Sequence, residues 1–413
     1  METSEWNPLG YKLLYRELFK KHMARQEELL SRGRPVGWFY TFYPSELIYA
    51  FDIVPAFPEQ YSAYCAARGS AVNLMNFSTS MGYGRFLCDY FNVSIGAVLA
   101  PEKATQPVMP DPDFIVGSRG LCFAHCEMAY ALSRIKKVPH CYVTFPYWTR
   151  EIVGRHDSLT KTPEKIDSRY LNYCVSEIEG LISFLEKVTG ENINEEKFRE
   201  AFKLAEETSK LLIKILELMT SRPTPGSQRE ICDLVVPGFF VLGSPYAYEF
   251  AVKAYELINE RVKRGIGVTS EEKIRLLTFG IIPWHSLSLY EYCERMGVTF
   301  PVNLFINESV HLVEASKPFE SSVRRTIHFT NADFDLMYDV VNDVKHVDLD
   351  GALLIENPGC RVSSITVRPL AEIIEVELGI PCLILEISQC DPTITPLERV
   401  KMQIEAFIET LES

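Results

Sequence analysis

An α/β fold of two parallel-sheet lobes joined by a helical segment is what the sequence predicts. Three observations carry that reading. β-rich runs alternate with helical patterns toward both ends of the chain, the middle third is helical throughout, and the two outer parts echo one another. Size agrees, because 413 residues exceed one ordinary core at about 150 residues per domain. The expected divisions are an N-terminal α/β lobe over residues 1–150, a helical segment over 151–270 and a C-terminal α/β lobe over 271–413. Such lobes are of the Rossmann or flavodoxin-like kind.

Leu13, Leu14, Leu18, Phe19 and Met23 recur at helical spacing within the first thirty residues, and Gly33, Pro35 and Gly37 end that helix. Residues 38–43 and 113–117 read as strands, 121–137 as a helix and 140–145 as a strand again. Residues 169–189, 195–220 and 252–263 carry long helical patterns, with a Pro- and Gly-rich turn beginning at Arg222. From Gly280 the alternation resumes, with extended runs at 280–284, 298–305, 351–356 and 381–387 and a final helix over 396–411. The echo joins Pro112-Asp-Phe-Ile-Val, followed by Cys122, to Leu349-Asp-Gly-Ala-Leu-Leu-Ile, followed by Cys360. Each lobe thus sets one cysteine just past a strand, where a helix begins.

Composition excludes several classes. Apolar residues at 47% and charged residues at 23% rule out a disordered or fibrous chain. A net charge of −13 repels polyphosphate and argues against nucleic-acid binding. No apolar run approaches the roughly 18 residues of a membrane span. The opening residues show no basic stretch followed by an apolar one, so a cytoplasmic location is expected, where eleven cysteines serve as packed thiols or metal ligands rather than disulfides. There is no P-loop, no Gly-x-Ser-x-Gly elbow, no Cys-x-x-Cys and no His-Glu-x-x-His; Gly82-Tyr-Gly84 lacks the third glycine of a dinucleotide fingerprint.

Ligands of open α/β sheets bind beyond the carboxyl ends of the strands, and a helix N-terminus there favours negative charge. Cys122 and Cys360 are therefore expected as thiolates of depressed pKa facing a shared cleft, against the plainer reading of small core residues. Cys126, four residues beyond Cys122 on one helical face, either forms half a metal site with it or packs, and packing is the favoured reading. His125, His140 and His285 lie in or beside apolar stretches and read as structural. The run Trp38-Phe-Tyr-Thr-Phe-Tyr-Pro is either a buried strand or the wall of an apolar pocket.

Several motifs carry a resemblance. Gly33-Arg-Pro-Val-Gly-Trp, Tyr43-Pro-Ser-Glu-Leu, Phe51-Asp-Ile-Val, Pro58-Glu59-Gln60, Leu87-Cys88-Asp-Tyr90, Gly120-Leu-Cys122, Pro358-Gly-Cys360-Arg, Gly379-Ile-Pro381 and Asp391-Pro392 follow one another in the order of the 2-hydroxyacyl-CoA dehydratase/benzoyl-CoA reductase family, which the chain resembles over nearly its whole length. The resemblance implies a [4Fe–4S] cluster in the cleft between lobes, held by Cys88, Cys122 and Cys360, with Glu59 as general acid or base and Thr41 as its hydroxyl neighbour. It also implies an acyl-CoA substrate, a homologous cluster-binding subunit and a separate ATP-dependent iron–sulfur activator, so that no P-loop is needed here. Reduction of an aromatic acyl-CoA such as benzoyl-CoA is the first expectation, and dehydration of a 2-hydroxyacyl-CoA by way of a ketyl radical is the alternative. A non-catalytic, cluster-carrying electron-transfer subunit is a further reading. Two departures stand out: Asn92 where the family often has Arg, and Pro358-Gly359 where it usually has Asn or Ser before the last cysteine.

Overall fold

The computed structural model describes residues 5–41, 44–120, 122, 124–154, 165–327 and 334–413. Residues 42–43 of one expected strand, and 121 and 123 of one expected helix, lie outside them. Two four-stranded sheets form the framework, every pairing within them parallel. The first contains β1 (Val36–Phe39), β2 (Val54–Ala56), β3 (Phe114–Arg119) and β4 (His140–Thr144), in the order β2-β1-β3-β4. The second contains β5 (Ile274–Phe279), β6 (Val298–Asn303), β7 (Gly351–Glu356) and β8 (Cys382–Glu386), in the order β6-β5-β7-β8. The echo in the sequence is thus a shared topology. The order in which strands are added reverses between β1 and β3 in one sheet and between β5 and β7 in the other, and such switch points open a crevice at the strand ends.

Strands β1, β2, β5 and β6 are buried on both faces, as parallel sheets covered by helices require, while the edge strands β4 and β8 are mostly half-buried. The helices that matter for the site are α1 (Tyr11–Ser31), α2 (Pro58–Ala67), α3 (Asp89–Leu99), α4 (Ala124–Lys136), α5 (Ser168–Thr189), α6 (Glu195–Met219), α7 (Pro245–Arg264), α8 (Arg361–Glu377) and α9 (Leu397–Glu412). Asp167 caps α5 and Asn194 caps α6, each side chain accepting from two backbone amides in the first turn. One hydrophobic core joins Phe39 and Val116 of the first sheet, Cys174, Phe202 and Ala247 of the middle helices, and Leu276 and Leu353 of the second sheet.

Three expectations need correction. The run 280–284 is not a strand. The strand is β5, just before it, and Gly280 (φ +125°) turns the chain where an added Cβ would meet the Ile355 carbonyl oxygen at 2.3 Å. The apolar residues of α1 do not all face inward, for Leu13 is 69% exposed while Leu18 is buried. β2, with a proline at its centre, escaped the sequence reading because three residues carry no periodicity.

Candidate active site

The loops that leave the carboxyl ends of β1, β2, β3, β5, β7 and β8 converge on one cavity of about 740 Å³. Thr41 follows β1, Glu59 opens α2 just after β2, Cys122 follows β3, Trp284 follows β5, Cys360 follows β7 and Gln389 follows β8; all six line the cavity. Cys88 lines it too, carried there by the helices inserted between β2 and β3. The five residues expected from sequence, Thr41, Glu59, Cys88, Cys122 and Cys360, are therefore brought to one place.

The three thiols share a local design. Cys88 is the N-cap of α3 and Cys360 the N-cap of α8, and Cys122 lies two residues before α4. Backbone amides are aimed at each sulfur: Phe91 at Cys88, Ala124 at Cys122, and Val362 with Ser363 at Cys360. The expected depression of their pKa does not follow. Burial is the larger influence and pushes Cys88 to about 12, Cys360 to about 11 and Cys122 well above its ordinary value. Repulsion among them adds to it, from Cys360 on Cys88 and from both on Cys122. Helix amides alone cannot hold three thiolates together in a buried site.

A cationic centre between the sulfurs reverses that balance, since it favours the thiolate and releases the protons. Among the described residues no three His, Cys, Asp or Glu donors close on a single metal ion. An iron–sulfur cluster makes a different demand, spreading thiolates over several irons so that the sulfurs surround a volume instead of a point. The Tyr40 hydroxyl, buried without a hydrogen-bond partner and within electrostatic reach of Cys88 and Glu59, supplies an unspent donor at the same place. The donor set fits such a cluster.

Beside the thiols lies an acid–base network. Thr41 donates to Glu59 Oε2 through its hydroxyl (2.9 Å) and its amide (3.2 Å), and His125 Nε2 stands 2.8 Å from Glu59 Oε1. Burial pushes the Glu59 carboxyl up, yet the His125 ring and the two Thr41 donors outweigh it and hold Glu59 below its ordinary value. An ionised carboxylate takes only donors, so His125 presents Nε2–H to it. Tyr40 stacks on the His125 ring at 5.6 Å. His125 is thus a site residue that the sequence reading assigned to structure. Its signal was its position three residues past Cys122, in the first turn of the helix that follows.

His140 and His285 are structural as expected, bonding Ser133 Oγ (3.0 Å) and the Ser388 carbonyl (2.8 Å). Cys126 is buried beside Arg119, off the cavity wall. Trp38 and Phe39 are buried in β1 and Tyr40 is buried just after it, and the aromatic wall comes instead from Phe57, Phe239, Phe240 and Trp284.

Cys88 is held from across the cleft. Gln389 Nε2 donates to its sulfur at 3.6 Å, and Asn357 Nδ2, donating to Gln389 Oε1 at 3.0 Å, fixes which way that amide faces. Ser388 Oγ donates to Asp89 Oδ2 at 2.5 Å, Trp284 Nε1 to the Tyr90 hydroxyl at 2.6 Å, and Arg85 pairs with Asp391. Both departures from the family pattern belong to this seam or its support. Asn92 bonds Ser78 and the Gly84 carbonyl, and Gly359 leaves room for Asp89, whose Oδ1 would lie 2.5 Å from an added Cβ.

Fold and site together define a class, a two-lobed α/β enzyme with its chemistry in the cleft between parallel sheets. Within that class the chain belongs to the family described as 2-hydroxyglutaryl-CoA dehydratase, D-component, which it matches over residues 40–411. It is 26% identical to the (R)-phenyllactyl-CoA dehydratase alpha subunit of Clostridium sporogenes, over 88% of this chain and 86% of that one. It is 22% identical to the (R)-2-hydroxyisocaproyl-CoA dehydratase alpha subunit of Clostridioides difficile, over 97% and 96%. One of the subunits of the benzoyl-CoA reductase of Thauera aromatica is 24% identical over 90% and 88%.

Proposed function

We propose that the chain is a [4Fe–4S]-bearing catalytic subunit of an enzyme that removes water from a 2-hydroxyacyl-CoA thioester. The observation that carries the proposal is a single cavity lined by three thiols, each at or just before a helix start, and by the Glu59–His125–Thr41 network. Cys88, Cys122 and Cys360 would hold the cluster, which when bound supplies a low-potential electron and a Lewis-acidic iron. Dehydration removes a hydroxyl and a neighbouring proton with no net gain of electrons. Glu59, kept anionic by His125 and Thr41, is the base that accepts the proton, and His125 Nε2 holds its carboxylate in line. The apolar walls exclude water and seat the acyl chain. The dehydratase names of two relatives above support this reading over the aromatic reduction first expected from the sequence.

Aromatic acyl-CoA reduction is the second reading, favoured by the aromatic wall and by the relative of that name. Partner subunits follow on either reading, because the relatives are named as subunits, and an ATP-dependent activator would feed the electron. The eleven free thiols fit a reducing cytoplasm. Among the described residues no helix is long and apolar enough to cross a membrane.

The anaerobically purified complex, supplied with its electron donor, tests the proposal. Loss of water from a 2-hydroxyacyl-CoA without stoichiometric electron consumption is the expected result; electron consumption matched to ring reduction would assign the second reading. Glu59→Gln should lower kcat by about 10²–10⁴. Unchanged turnover would place the chemistry in a sibling chain.

A further inference from the structure

The cavity has a basic mouth that the chemistry at its floor does not use. Lys12, Arg16 and Lys20 of α1 and Arg68, the C-cap of α2, all line the cavity and are all exposed, which puts them at its opening. The three α1 residues recur every fourth position, one above another on a single helix face, and span about 12 Å at 1.5 Å per residue. None of the four forms an ion pair among the described residues. The other charged face of the same helix is spent, since Lys253 of α7 pairs with Glu17 at 3.1 Å and with Glu249 at 3.0 Å, and Lys21 pairs with Glu249.

Among the described residues, the carboxylates that line the cavity form no ion pair with these four cations. Glu230 accepts the backbone amides of Leu9, Gly10 and Tyr11, and Glu59 is paired with His125. Burial, with Glu230 nearby, pushes the Asp233 carboxyl up to about 7, so that it is only partly ionised in neutral solution. Four such cations at one opening are unexpected on a chain of net charge −13. Beside them, Phe19 of α1 stacks on Tyr64 of α2 with ring centroids 6.4 Å apart, and the Arg68 guanidinium sits 5.4 Å over the Tyr64 ring. Separated cations around an aromatic shelf are what a nucleotide with phosphates at more than one position requires.

We infer that Lys12, Arg16, Lys20 and Arg68 bind the phosphates of the coenzyme A portion of the substrate, with the Phe19–Tyr64 shelf beneath its base, an inference that rests on the acyl-CoA reading above. The pantetheine arm then runs inward along the apolar wall and carries the thioester to Glu59 and the thiols.

Calorimetric titration of the purified complex with coenzyme A, 3′-dephospho-coenzyme A and pantetheine tests it. Coenzyme A should bind with an affinity that falls as salt rises, and loss of the 3′-phosphate should weaken it. The variant Lys12→Gln/Arg16→Gln/Lys20→Gln/Arg68→Gln should bind coenzyme A at least about tenfold more weakly while binding pantetheine as before. Lys12→Arg/Lys20→Arg, which keeps the charge, should retain coenzyme A binding. Unchanged coenzyme A affinity in the quadruple variant overturns the inference and leaves the acyl-CoA reading standing. A wild-type complex that binds neither coenzyme A nor pantetheine overturns both.

Discussion

His125 sets the charge of the group beside it. Burial raises the Glu59 carboxyl and His125 is the strongest influence opposing that rise. With His125→Asn only Thr41 remains against burial, so the carboxyl should titrate above its wild-type value. A group whose pKa is depressed stays ionised down to low pH and loses its charge as pH falls through that value. The acid limb of the pH–rate profile should therefore move to higher pH in the variant, with kcat at neutral pH lowered by about 10²-fold. A profile that keeps its acid limb would show that Glu59 is not the titrating base. Gln389→Leu acts through Cys88 instead. It removes an N–H donor from the sulfur, and the loss of such an outer partner typically costs about 10–100-fold in metal affinity or activity. Redox titration followed by electron paramagnetic resonance should find the loaded cluster harder to reduce. Cys122 and Cys360 were legible because a strand and then a helix frame each of them. Cys88 follows no strand, and only the family resemblance picked it out. Gln389 and Tyr40 were illegible, since what singles them out is a partner in space or the want of one.

At the level of the elements, two helices begin at a thiol and a third two residues after one, so the helices position the sulfurs. Gly359 shows how tightly this is done. Gly359→Ala would drive a methyl into the Asp89 carboxylate, displacing the Ser388 bond that ties α3 to the second lobe. A stability loss of about 1–3 kcal/mol is expected, along with a lower iron content per chain, measured by thermal melting and by iron and acid-labile sulfide analysis. An unaltered iron content would mean that the α3 terminus tolerates the shift. Long elements with clear periodicity, such as α5, α6 and the final helix, were readable to within a residue or two. β5 was placed too late because its second residue is Arg275, and a charge inside a strand reads as a break until its partners are known.

That arginine matters to the molecule as a whole. Arg275 is 1% exposed and joins three parts of the chain. It bonds Glu272 Oε1 at 2.8 Å, the Thr220 and Ser221 carbonyls at 2.9 and 3.2 Å, and the Asp348 carbonyl at 2.8 Å. The middle helices are thus locked to the second sheet at the end opposite the cavity. Arg275→Met leaves the buried Glu272 with only the exposed Arg222, 3.9 Å away, as counter-ion and should cost about 3–5 kcal/mol in urea unfolding. A cost under about 1 kcal/mol would place the locking elsewhere, in the apolar core. The two-lobe architecture was legible because each sheet repeats the same alternation. The continuous core beneath the lobes was not, because contacts between distant stretches leave no local pattern.

The order of the thiols along the chain carries a consequence for biosynthesis. Two of them belong to the first lobe, and the third, Cys360, emerges only when most of the 413 residues have been made. On the proposed reading, an unfinished polypeptide can complete its first sheet and still be unable to mature. A chain cut short of Cys360 would keep two of the three sulfurs and, on that reading, would have no complete cluster site.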